Sequence, residues 1–199
     1  MSKIARGELT TAGFEIAARY NAIVKRTIEV LNELEKAGVF SRYAIGGAMG
    51  AIFYTEPFLT FDLDVLESPA VALQPLRVVL PSTHGGLLTL APIYDALRAR
   101  GYADENKCVT IEGVPVQFLP AYNALIEEAL KEAQDTTYEN VPARILRSEY
   151  LVAIALQTGR SKDRDRVRIL REQAKLDMSL LAAILKRHEL EEKWKRWTE

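Results

Sequence analysis

The chain has 199 residues, 48% of them hydrophobic and 27% charged, and a formal net charge of -1. That is enough for one domain with its own core, or one α/β domain with a helical extension, and it excludes extensive disorder. The near-neutral balance also argues against a protein that coats nucleic acid through charge alone, although a local basic patch stays possible.

The single cysteine, Cys108, rules out an internal disulfide and a cysteine-based zinc site. It opens an apolar strand and reads as buried filler rather than a nucleophile. The first residues, Met1-Ser-Lys-Ile-Ala-Arg6, are followed by no long apolar run, so no signal peptide is expected. No stretch approaches the roughly 18 apolar residues of a membrane span. The expectation is a soluble, cytoplasmic protein.

From Thr11 to Ala37 the residues Phe14, Ile16, Ala17, Ile23, Val24, Ile28, Leu31 and Leu34 recur at helical spacing. They predict one or two amphipathic helices closed by Gly38. A short strand over Tyr43 to Ile45 follows, then a Gly46-Gly47 turn and a small-residue helix from Ala48 to about Tyr54. The next apolar run predicts a strand carrying Asp62 and Asp64. Residues two apart on a strand share a face, so both carboxylates leave the sheet together while Leu63 and Val65 point into a core.

Leu76 to Leu80 reads as a short extra strand, and Pro81-Ser-Thr-His-Gly-Gly86 as a loop, either a lid or a plain connection, in which His84 is a minor candidate for substrate contact. Leu87 to Arg100 predicts a helix ended by Gly101. A hairpin follows: Cys108 to Glu112, a turn at Gly113, then Val114 to Leu119. Pro115 implies that part of the second strand lacks a partner on its N–H side. Tyr122 to Ala133 reads as a helix, and Thr136 to Val141 as a brief return to the sheet. From Arg147 on, the pattern is helical: Ser148 to Thr158, Lys162 to Gln173, Leu176 to His188, and a charged helix or tail from Glu189 to Glu199. The reading is an α+β fold, a small mixed sheet flanked by helices over residues 1–141, with a helical part over 142–199 packed on it.

The central stretch carries the chemistry. A Gly-Gly pair before a helix is an ordinary tight turn or a place where backbone N–H groups approach a phosphate. An Asp-x-Asp is an exposed strand edge or a pair of metal ligands. In combination they are what a divalent metal on a nucleoside triphosphate requires, since Mg²⁺ takes one or two carboxylates plus substrate phosphates.

This unit, Gly46-Gly47, a helix, then Asp62-Leu-Asp64, resembles the signature of the nucleotidyltransferase superfamily with the DNA polymerase β-like fold, nearest to the AbiEii-like bacterial transferases. The resemblance implies metal binding (Mg²⁺ or Mn²⁺) and catalysis by Asp62 and Asp64, and nucleotide contact by Gly46, Gly47 and Thr60. It implies a third carboxylate within Val116-Gln117-Phe118, where this chain has Gln117. An amide cannot take up a proton at neutral pH and is a poorer metal ligand. Glu112 could replace it only if the hairpin register turned it to the same face. Ala48 stands where relatives often have a hydroxyl, and Pro57-Phe-Leu-Thr-Phe61 lacks an arginine often found there. In the helical part, Arg160-Ser-Lys-Asp163 resembles a Lys-Asp unit opening a helix in the same group. Lys162 or Arg160 could then neutralise the triphosphate. Asp163 at that position is equally explained by helix capping.

The implied function is metal-dependent transfer of a nucleoside monophosphate from an NTP to an acceptor (RNA, protein or small molecule). In several such relatives this is the work of a toxin with an antitoxin partner, or of phage defence. The alternative, motivated by Gln117, is a catalytically inactive relative that binds a nucleotide or a partner.

Overall fold

The computed structural model describes residues 11–55, 75–81, 90–105 and 108–199. Asp62, Asp64, Thr60 and His84 lie outside them. The described residues form an α+β fold. A seven-stranded mixed sheet is ordered β3-β4-β5-β2-β1-β7-β6 and is flanked by helices.

The first helix, α1 (Thr11–Lys36), buries Val24, Ile28, Leu31 and Leu34 on one stripe, as their spacing predicts. It ends at Gly38, whose φ of +73° is costly for any residue with a Cβ. The N–H groups of Gly38 and Val39 donate to the carbonyls of Glu35 and Leu34, satisfying the last turn in a Schellman arrangement. The chain then enters β1 (Ala44–Gly46) and α2 (Gly47–Ile52).

The strand Leu76–Leu80 (β2) runs antiparallel to β1, with Ala44 opposite Val79 and Gly46 opposite Arg77. Its alternation separates two cores. Leu76, Val78 and Leu80 pack with α1, while Val79 joins the opposite face. Helix α3 (Ala91–Arg98) covers the α1 side with Ile93 and Leu97. Its described start sits at a proline near the N-terminus, where the missing N–H costs nothing.

A short β3 (Asp104–Glu105) pairs with β4 (Cys108–Ile111), which forms a hairpin with β5 (Val114–Pro120). The two-residue turn has positive φ at Glu112 (+49°) and Gly113 (+89°), as a type I′ turn requires. Pro115 faces Thr110, and parallel pairing of β5 with β2 begins only at Val116. No ladder bond is therefore lost to the proline, in agreement with the sequence reading. Cys108 is half-buried at the start of β4, less enclosed than expected of filler.

After α4 (Ala124–Lys131), the segment read as one brief strand is a hairpin, β6 (Gln134–Tyr138) and β7 (Val141–Ile145). Glu139 and Asn140 turn between them with φ of +47° and +66°. β7 lies parallel to β1, so the sheet continues past residue 141. Four helices complete the chain: α5 (Ser148–Thr158), α6 (Ser161–Gln173), α7 (Met178–Arg187) and α8 (Glu191–Thr198). Helix α5 is buried on most sides and, with α4 and α7, makes the second core over the face that carries Ala44 and Val79. No described helix is long and apolar enough to cross a membrane.

Candidate functional site

Where β1 gives way to α2, the chain turns at Gly47 with φ of +66°. A Cβ there would also lie 2.9 Å from Cδ of Arg77, so the glycine makes room for the arginine stem as well as the turn. At Gly46 a Cβ would meet Leu146 at 3.0 Å. Register puts Gly46, Arg77 and Gln117 in one row across β1, β2 and β5. Because Val116 and Phe118 belong to the α1 core, Gln117 faces the opposite side, with Arg77, Val79 and Leu119.

That side holds a cleft of about 60 Å³, lined by Gly46, Gly47, Arg77, Tyr122, Arg160, Asp163 and Arg166 above a floor of aliphatic side chains. Its size is several times the ~10–15 Å³ that one ordered water needs, and well below the about 300–1,000 Å³ that encloses a whole small molecule. It suits a group the size of phosphate, with the remainder of a ligand outside. Tyr122 stands beside it, 66% exposed.

The charges of the cleft are built around one carboxylate. Asp163, in the first turn of α6, is fully buried. It accepts bonds from Arg160 Nε (2.7 Å), Arg160 Nη2 (3.0 Å) and Arg166 Nη1 (2.7 Å), and caps the helix through the Arg160 backbone N–H (3.2 Å). Burial alone pushes its carboxyl up. The bonds and charges of the two arginines outweigh that and hold it below its ordinary value. Arg166 is lowered by burial against the pull of Asp163, and Arg160 is raised by its bond to Asp163. Arg77 is half-buried and lowered, first by burial and then by the charges of Arg160 and Arg166, with Asp163 opposing. Among the described residues it has no hydrogen-bond partner. Among the described residues, therefore, two guanidiniums are spent on one carboxylate and a third stands beside them, so guanidiniums outnumber carboxylates.

The structure therefore brings together Gly46, Gly47, Arg160 and Asp163 of the residues singled out above, with Gln117 on the same sheet face. Lys162 is exposed and does not line the cleft. Glu112 sits in the turn just beyond the Ile111–Val114 pair, whereas Gln117 lies past the Val109–Val116 pair, so the two do not face each other. The Glu112 carboxylate accepts the Tyr102 hydroxyl at 2.6 Å, so it does not replace the third carboxylate. Arg77, Arg166 and Tyr122 were not foreseen. The signal for Arg77 was present: a lone charge inside the apolar run Leu76-Arg-Val-Val-Leu80.

As a metal site, the described part of this cleft does not fit. Both oxygens of Asp163 are engaged by guanidiniums, Gln117 is an amide, and no described group of three or more His, Cys, Asp or Glu is arranged to hold a cation. Asp62 and Asp64, the implied ligands, lie outside the described residues. The arrangement is suited to an anion. None of the known protein-family models matches the sequence, and no curated protein matches it.

Proposed function

We propose that the chain is a nucleotidyltransferase-like protein that binds an NTP by its phosphates between Gly46-Gly47 and the arginines of the cleft. It would transfer the nucleoside monophosphate to an acceptor hydroxyl on RNA, protein or a small molecule. The acceptor hydroxyl gives its proton to solvent water as its oxygen bonds to the α-phosphorus, the bond from that phosphorus to the bridging β-phosphate oxygen breaks, and pyrophosphate departs with that oxygen. The observation that carries the reading is the glycine turn opening onto a cleft in which, among the described residues, three arginines stand with one carboxylate. Planar guanidiniums match phosphate oxygens as paired donors. The same proposal assigns Mg²⁺ or Mn²⁺ to Asp62 and Asp64, and Thr60 and Lys162 to the nucleotide. An antitoxin partner belongs to it only if the acceptor proves essential to the cell.

Thermal unfolding with each NTP, with and without Mg²⁺, tests the binding half. Ligand at about a hundred times its dissociation constant stabilises by roughly 2.7 kcal/mol. At about 2–4 °C per kcal/mol for a chain of this size, the shift is readily resolved. A Mg²⁺-dependent shift in wild type should vanish in Asp62→Ala. Transfer of labelled nucleotide should be lost in both Asp62→Ala and Asp64→Ala; transfer retained in both sinks the mechanism.

A second reading, binding without transfer, is favoured by the row Gly46, Arg77, Gln117, which contains no carboxylate. It expects NTP-dependent stabilisation with no transfer by wild type. A gain of transfer in Gln117→Asp would support it, and transfer by wild type would end it.

A further inference from the structure

The arginines of the cleft are not equivalent. Arg160 and Arg166 spend their guanidiniums on the buried Asp163. Arg77 stands on a different element, in the middle of β2, with Gly46 and Gln117 as its register neighbours. Its stem packs where Gly47 has no side chain. No described group accepts a hydrogen bond from it, and its nearest charged neighbours include two like charges. A half-buried cation in such company is unfavourable unless something compensates it. An apolar residue would suit the core on the Val79 face of the sheet better. An arginine held there by a residue-specific gap in the backbone is explained by a ligand that supplies the missing anion.

We propose that Arg77 is the anion receptor of the cleft, and that its ligand is a phosphoryl group, supplied either by the phosphates of a nucleotide or by an inorganic polyphosphate. The inference rests on the reading of the cleft as a phosphate site and deepens it by naming the residue that makes the contact. Arg160 and Arg166 contribute field, being engaged with Asp163, whereas Arg77 contributes the donors. The cleft volume of about 60 Å³ admits one such group beside the Arg77 guanidinium.

Calorimetric titration of wild type with sodium tripolyphosphate, and separately with each NTP, in EDTA provides the test. Wild type should bind tripolyphosphate without metal, more weakly at high salt. Loss of a charge-assisted, forked contact in Arg77→Met should weaken this by about tenfold or more, and Arg77→Lys, a point charge, should recover only part. Arg100→Met, which removes an exposed arginine elsewhere, should leave binding unchanged. An NTP bound more tightly than tripolyphosphate identifies the nucleotide as the source; equal affinities identify the inorganic anion. Equal binding by Arg77→Met and wild type, or no binding of tripolyphosphate by wild type, overturns the proposal. Should Arg77→Met fail to fold, wild type treated with phenylglyoxal gives the same information. Protection of Arg77 by tripolyphosphate supports the receptor role, and modification at an undiminished rate refutes it. Because no metal is present, this result does not depend on metal binding by Asp62 and Asp64. Tripolyphosphate binding without nucleotide transfer would fail the transferase reading alone. Transfer that survives Arg77→Met with unaltered affinity would fail the receptor alone.

Discussion

Two carboxylates in this molecule are each surrounded by cationic donors, and they differ in what is left over. Glu128 on α4 accepts the Tyr150 hydroxyl from α5 at 2.9 Å, lies 2.7 Å from His188 Nε2, and pairs with Arg187 at the end of α7. Every donor there ends on the one carboxylate, and three helices are tied together. Asp163 is served by two arginines from its own helix start, and a third, Arg77, is brought up from the sheet with no acceptor among the described residues. The Glu128 cluster is closed and explains itself as a tie. The Asp163 cluster is open: among the described residues it leaves one guanidinium without an acceptor, which is what the proposed phosphate site requires. Counting charged residues does not separate the two; counting unsatisfied donors does.

The comparison breaks most visibly if its two carboxylates are removed. Asp163→Ala leaves Arg160 and half-buried Arg166 without a counter-charge beside Arg77, and uncaps α6. Breaking a buried pair by deleting one partner costs about 3–5 kcal/mol. The expected fall in melting temperature is therefore the largest of any single change in the cleft. Adding Arg77→Met to Asp163→Ala should recover part of it by relieving the repulsion between like charges. Chemical denaturation of the four proteins checks this as a double-mutant cycle. A strictly additive cycle would show that Arg77 does not feel the cluster.

Glu128→Gln should cost less, about 1–3 kcal/mol, because the amide keeps one acceptor and the site is nearer to water. Burial raises the Glu128 carboxyl, but its bonds from His188, Arg187 and Tyr150 leave it net lowered. A lowered folded value means that this stabilisation is present above the unfolded carboxylate value, about 4.3, and is lost as pH falls through the folded value. Wild type and Glu128→Gln should thus differ at neutral pH and converge in acid. Urea melts across that range test it, and a gap that persists below both values would assign the loss to packing.

How much of this was legible depends on whether a residue's role is local. The helices of the C-terminal part followed from apolar spacing, Gly38 from its place after a periodic run, and the hairpin around Gly113 from alternation and turn chemistry. The break at Glu139-Asn140 was missed because the turn has no glycine and Glu139 at positive φ gives no cue, Asn140 being the one residue there that favours it. In the site, Gly46-Gly47 and the start of α6 were legible as motifs. Their meeting with Arg77 was not, because the contact depends on the register of β2 against both β1 and β5, and a register is a property of the folded sheet. Glu112 shows the same limit from the other side: its eligibility was a question of register alone, and the turn answers it.

Each cluster also has a tyrosine, and this gives the subtlest difference. Tyr150 is buried, and its hydroxyl is raised to about 12, first by burial and then by its bond to Glu128. Tyr122 is 66% exposed beside the cleft, and its ring is in contact mainly with water. Truncating an exposed side chain of this kind should change stability by within about 0.5 kcal/mol. If a nucleotide occupies the cleft by its phosphates, however, the exposed Tyr122 ring at the cleft is a surface on which its base can stack. Stacking of a base on an aromatic ring is worth about 1–3 kcal/mol. Tyr122→Ala should then weaken NTP binding by about 5- to 150-fold while leaving tripolyphosphate binding unaltered, and Tyr122→Phe should bind both as wild type does. An equal loss for both ligands would place Tyr122 on the phosphate, and no loss for either would put the base elsewhere. Titration of the same two ligands into the two variants separates these outcomes, because one ligand has a ring to stack and the other does not.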